Sequence, residues 1–154
     1  MASILAKRGV EKIQPSSEPG IFVTRSEITS RPPTAAFEGS RFWMVERSTY
    51  FSVGLGEISG SMPLHFHTDG EHRVTVVAGR MRLRLGHEER TLNPGDYAVV
   101  PVGVPHKIGK DGTESTWFVT FDTPPMDPTN FHWLEAPPNR IGGCPLCPEP
   151  FLKP

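Results

Sequence analysis

Cysteine is nearly missing from this chain, with Cys144 and Cys147 the only two in 154 residues. That is too few for a disulfide-stapled fold, so stability has to come from an ordinary core. Their Cys-x-x-Cys spacing suits a redox pair or half of a zinc site, but GGCPLCPEP has neither a helix start nor a second pair. An inert tail with free thiols and a metal or inter-subunit site both stay open. An excess of charge is missing too. Sixteen basic against seventeen acidic residues, net −1 and pI about 6.6, give no electrostatic argument for nucleic acid or a membrane surface as partner. No apolar run is long enough to cross a bilayer. The start, MASILAKRGV, has only Ile4-Leu5-Ala6 before charge resumes, so it lacks the h-region of a secretory signal, and a cytoplasmic location is expected. There is no phosphate-binding loop, no serine or cysteine nucleophile with a positioned base, and no convincing helical stretch.

What the chain does have is turns and alternation. Glycine (15) and proline (17) are plentiful and punctuate short β-branched and aromatic runs. Strands are expected at 42–46, 49–58, 73–79, 80–86, 96–101 and 115–121. Turns are expected at Gly60-Ser61, Asp69-Gly70, Asn93 to Asp96 and Asp111-Gly112, with Gly54-Leu55-Gly56 ambiguous. Short strands at this spacing define an all-β antiparallel sandwich or barrel. Arg80, Arg82 and Arg84 alternate with Met81, Leu83 and Leu85, the solvated face of a half-buried strand. One domain is expected, with an N-terminal arm at 1–40, a barrel at 41–122 and a proline-rich tail at 123–154. The interior should hold Val74, Val76, Met81, Leu83 and Ile108, alongside aromatics such as Phe51 and Trp117.

Four of the six histidines fall in two glycine- and proline-framed segments: His65, His67 and His72 in GSMPLHFHTDGEHRVTVVAG, and His106 in GDYAVVPVGVPHKIGK. Neutral imidazole is the commonest ligand for a catalytic transition metal. In an extended strand residues i and i+2 share a face, so His65 and His67 aim at one point. His72 leads into an apolar run and His106 closes a Pro-x-Gly-x-Pro-His turn. The expected site is one divalent transition metal on His65, His67, His72 and His106, iron or manganese foremost, with nickel, copper or zinc as alternatives.

These two segments resemble the paired motifs of the cupin superfamily. Gly95, Pro101, Gly103 and His106 match the second motif at every spacing; His65, His67 and Gly79 match the first, with Gly60 one residue close to His65. The resemblance covers roughly 41–122 and implies a double-stranded β-helix, or jelly-roll, barrel. Some metal-dependent dioxygenases of the superfamily carry a cysteine-rich knuckle in the tail, but two of its four cysteines are absent here. The chain departs from the motifs twice. His72 stands where most of the family has glutamate, Glu71 being the alternative if the strand slips by one residue. Period-two alternation with Val74 and Val76 favours His72. The resulting four-histidine shell would be neutral and its ion more electropositive. Lys110 stands where the second motif ends in asparagine, which bears on turn geometry.

The function these readings imply is metal-dependent oxidation of a small chelating molecule, dioxygenase-like. The alternatives are an isomerase, lyase or cyclase using the ion as Lewis acid, and a domain that binds a metal or small ligand without catalysis. The expected partners are a small-molecule substrate and, through the long proline-rich arms and an open edge at 41–46, a second copy in a homodimer.

Overall fold

A computed structural model describes residues 21–127 and 130–141. Eleven strands and one five-residue helix are found there: α1 (Arg25–Thr29), β1 (Ala35–Phe37), β2 (Ser40–Arg47), β3 (Ser52–Ile58), β4 (Ser61–Phe66), β5 (Glu71–Ala78), β6 (Met81–Leu85), β7 (Glu88–Leu92), β8 (Tyr97–Val100), β9 (His106–Lys110), β10 (Thr116–Thr123) and β11 (His132–Trp133). They form two antiparallel sheets, ordered β1-β2-β3-β10-β5-β8 and β11-β4-β9-β6-β7. This is the all-β architecture expected from the alternation, in the jelly-roll form that the resemblance implies. The cysteine pair lies outside the described residues.

Alternation fixes which side chains enter the barrel. Along β5, His72, Val74 and Val76 are buried while Glu71, Arg73, Thr75 and Val77 face outward. Along β6, Met81 and Leu83 go in and Arg82 goes out. Ile108 joins them, so all five expected interior aliphatics lie in one buried cluster with Ile58, Met62 and Phe118. Phe51 and Trp117 do not. In β10 it is Phe118, Thr120 and Asp122 that point inward, leaving Trp117 and Phe121 outside. Trp117 stacks on Trp43 at 6.0 Å in a second cluster with Ile28 and Leu55, and Phe51 stacks on Phe121 at 5.2 Å. Both residues are large and apolar because the outer face of the sheet is itself partly covered, which alternation alone does not reveal.

The cover comes from the segment read as an arm. Thr24 caps α1 in a reciprocal capping box with Glu27, and Ile28 drops onto Trp43 and Leu55. Trp43 donates its indole N–H to the Arg31 carbonyl at 3.0 Å. β1 then pairs with β2 at Ser40, Arg41 and Phe42, so the start of the edge expected to be open at 41–46 is already occupied. The ambiguous Gly54-Leu55-Gly56 lies within β3 rather than in a turn. Gly56 is there because the Phe118 ring packs against its Cα, leaving no room for a Cβ. Gly79 closes β5 at φ 70°, hard against the Ser115 carbonyl, a conformation and a contact that only glycine satisfies.

Candidate metal centre

The two sheets deliver the histidines from opposite sides. β4 carries His65, with His67 just beyond its end; β9 begins at His106, which sits directly across from His65 in the ladder. His72 comes from β5 in the other sheet. All four are buried. Ring centroids lie 5.0 Å apart for His65 and His67, and 4.2 Å for His65 and His106. They are 4.2 Å apart for His67 and His72, and 6.4 Å for His72 and His106. One ligand nitrogen from each of His65, His67 and His106 lies within 4.8 Å of the others. His72 falls in a second such set, with His67 and Asp69, so His67 is common to both.

Every one of the four rings is held by its Nδ1. His65 donates to the Pro63 carbonyl at 2.6 Å, His67 to the Asn130 carbonyl at 2.8 Å and His106 to the Val104 carbonyl at 2.9 Å. His72 donates to Asp122 Oδ1 at 2.8 Å. A carbonyl or carboxylate can only accept, so Nδ1 carries the proton and Nε2 keeps its lone pair. In His72 that Nε2 is buried with no hydrogen-bond partner at all. Four lone-pair nitrogens with an orphan among them form a donor set that fits a divalent transition ion.

Electrostatics agree. Burial lowers the His65 pKa from 6.5 to about 3, with repulsion from His106 adding to it, and lowers His106 to about 4. His67, buried and facing three other imidazoles, is held lower still. These three rings therefore stay neutral, the form that binds metal, well into acid.

Two carboxylates here escaped the sequence reading. Asp122 stands behind His72. Asp69 has one oxygen accepting from the Asp127 amide at 3.0 Å, while its Oδ1 is buried without a partner. Two carboxyl groups therefore flank the four imidazoles, outside the all-histidine shell that the sequence predicts. For Asp69 a signal existed: it continues the i, i+2 series of His65 and His67. Asp122 had none, because only strand pairing brings it opposite His72. Glu71 faces away and pairs with Arg73. Lys110 reaches the Thr113 carbonyl at 2.9 Å, a contact within the following turn.

The cluster opens onto a cavity of about 50 Å³ lined by Phe42, Met62, Ile108, Phe118, Met126 and Phe131, with Thr120 the main polar group besides the histidines. No lysine or arginine lines it. Phe131 stacks on His65 at 5.2 Å and meets His67 edge-on at 4.5 Å, and Trp133 stacks in turn on Phe131 at 5.3 Å. The tail thus roofs the site.

A family model for the cupin domain matches residues 55–121. Over those residues, with the jelly-roll barrel around them, the chain carries a cupin domain. Over 55 residues it is 41% identical to quercetin 2,3-dioxygenase of Bacillus subtilis (strain 168), a stretch covering 36% of this chain but only 15% of that protein. Among solved structures, the polyketide cyclase RemF of Streptomyces resistomycificus is similar, with a TM-score of 0.58 and 23% identity. That alignment covers 76% of this chain and 87% of the cyclase. Oxalate decarboxylase of Lactobacillus farciminis has a TM-score of 0.60 and 20% identity, covering 69% of this chain and 34% of that one. These two likenesses concern the fold. Among the described residues no helix is long and apolar enough to cross a membrane.

Proposed function

We propose that His65, His67, His72 and His106 hold one divalent transition metal through Nε2, and that the barrel is a dioxygenase-like oxidoreductase of a small, uncharged or singly charged chelating substrate. The observation that carries the metal reading is the common tautomer: all four Nδ1 atoms are engaged by oxygen acceptors, leaving four unprotonated nitrogens. A bound ion of this kind supplies Lewis acidity and, if redox-active, a meeting point for substrate and O₂. The local identity to quercetin 2,3-dioxygenase supports the oxidative reading.

This chain's own residues do the rest. The apolar wall excludes water and strengthens every electrostatic interaction inside. Phe42, Phe118 and Phe131 suit a flat, largely apolar substrate, and the lack of a basic lining residue disfavours a dicarboxylate or a phosphate ester. Asp69 offers its partnerless oxygen to the ion or to a donor group of the substrate. Val77, Tyr97 and Val99, exposed on the outer face near the β8 edge, support a homodimer, for which a monomeric mass by light scattering at micromolar concentration would be the disproof.

The deciding experiment is O₂ consumption by metal-loaded protein against a panel of diketones, catechols and flavonols. Stoichiometric O₂ uptake with product formation is expected. Conversion without O₂ would replace this reading by Lewis-acid isomerase, lyase or cyclase chemistry.

A further inference from the structure

We infer that Asp122 is the counter-charge of the metal centre: a positioning residue that, through His72, places behind the imidazole the negative charge that a ligand carboxylate would otherwise place on the ion. The inference rests on His72 being a ligand, as proposed above.

Asp122 is 1% exposed, opposite His72 in the β5–β10 ladder. Its Oδ1 accepts the Nδ1 proton at 2.8 Å. Its Oδ2 accepts from the Ser52 and Thr120 hydroxyls, both at 3.2 Å, and Ser52 Oγ in turn accepts the Met126 amide at 2.9 Å. The carboxylate is thus clamped on both oxygens by groups that bring no charge. Among the described residues the only basic side chain within ion-pair distance is His72 itself. Arg73, next along the strand, points outward to Glu71 and Thr123.

A buried carboxylate without a cation is strongly disfavoured. The available positive charge is an ion on the far nitrogen of the same ring, where the partnerless Nε2 lies. Hydrogen bonding of this kind makes the imidazole a stronger donor and locks its rotation. In the motif that this chain resembles, glutamate stands in place of His72. Here the pair His72–Asp122 keeps the charge and moves it one side chain back.

The test uses metal-free full-length protein titrated with Co²⁺ against a competing chelator, with the visible Co²⁺ spectrum as second readout. Asp122→Asn keeps the shape and an acceptor for Nδ1 but removes the charge. It is expected to weaken Co²⁺ binding by about 10- to 100-fold and to shift the spectrum. His72→Glu in the same background, which puts the charge directly on the ion, is expected to restore affinity. If His72→Ala weakens binding while Asp122→Asn binds as wild type with an unchanged spectrum, Asp122 merely packs and the inference falls. If His72→Ala itself binds as wild type, the four-histidine reading fails first, and the two failures are told apart. Should Asp122→Asn not fold, Asp122→Glu and Asp122→Gln, equal in size and differing in charge, are compared: the Glu variant is expected to bind Co²⁺ at least about tenfold more tightly, and equal binding by the two overturns the inference.

Discussion

His65 and His106 face each other across the β4–β9 ladder with their rings 4.2 Å apart, although they come from different motifs. Backbone pairing, not loop conformation, sets their separation, so the pair is in place before any ion arrives. Replacing either by alanine should therefore weaken metal binding by more than about tenfold without unfolding the barrel. Elemental analysis combined with a thermal melt checks both halves of that statement.

Register gives a sharper contrast. Glu71 faces solvent against Arg73, whereas His72 is buried. Glu71→Ala should leave bound metal unchanged and His72→Ala should lower it. The reverse result would mean that the strand is displaced by one residue.

The depressed pKa values of His65, His67 and His106 set a pH dependence. Unfolded imidazoles take up protons below about pH 6.5, which the buried ones refuse until about pH 4 or lower. Stability of the metal-free protein is then full above about pH 6.5 and declines as pH falls from there toward about pH 4. The slope is about 1.4 kcal/mol per pH unit for each histidine. Urea midpoints measured between neutral pH and pH 5 should fall steadily. A flat profile would show that the rings protonate in place.

At Gly56 the neighbouring Phe118 ring leaves no room for a methyl group. Gly56→Ala should cost about 1–3 kcal/mol through overpacking, read as a lower melting temperature.

Phe131 roofs two of the four imidazoles. Its replacement by alanine should speed removal of the ion by a chelator while changing equilibrium affinity little. Stopped-flow mixing with the chelator separates the two, and an unchanged rate would mean that the ion leaves by another route.

Much of the barrel was legible because its strands alternate strongly. Val74, Val76, Met81 and Leu83 announce their inward face, and the turns of both motifs are written in glycine and proline. β7 was missed because Glu88–Leu92 is exposed at all but its last position and has no alternation to read. β9 was missed because Ile108 is its only large aliphatic. α1 is a single capped turn, too short for periodicity, although Thr24-x-x-Glu27 is a legible cap. The histidines could be listed from spacing alone. Asp122, Asn130 and Phe131 could not, since each reaches the cluster through pairings distant in sequence.

The Asn130 carbonyl that orients His67 belongs to the tail, as do Met126 and Phe131 in the cavity wall. The recognisable motifs are therefore not a portable module. A chain trimmed to the matched stretch, 55–121, would retain these four histidines yet lose Asp122 and the Asn130 carbonyl, the acceptors that fix two of them, together with its aromatic ceiling. Grafting this centre onto another barrel means transplanting its downstream neighbour as well, and comparison between relatives at the motifs alone will overlook residues on which the chemistry depends.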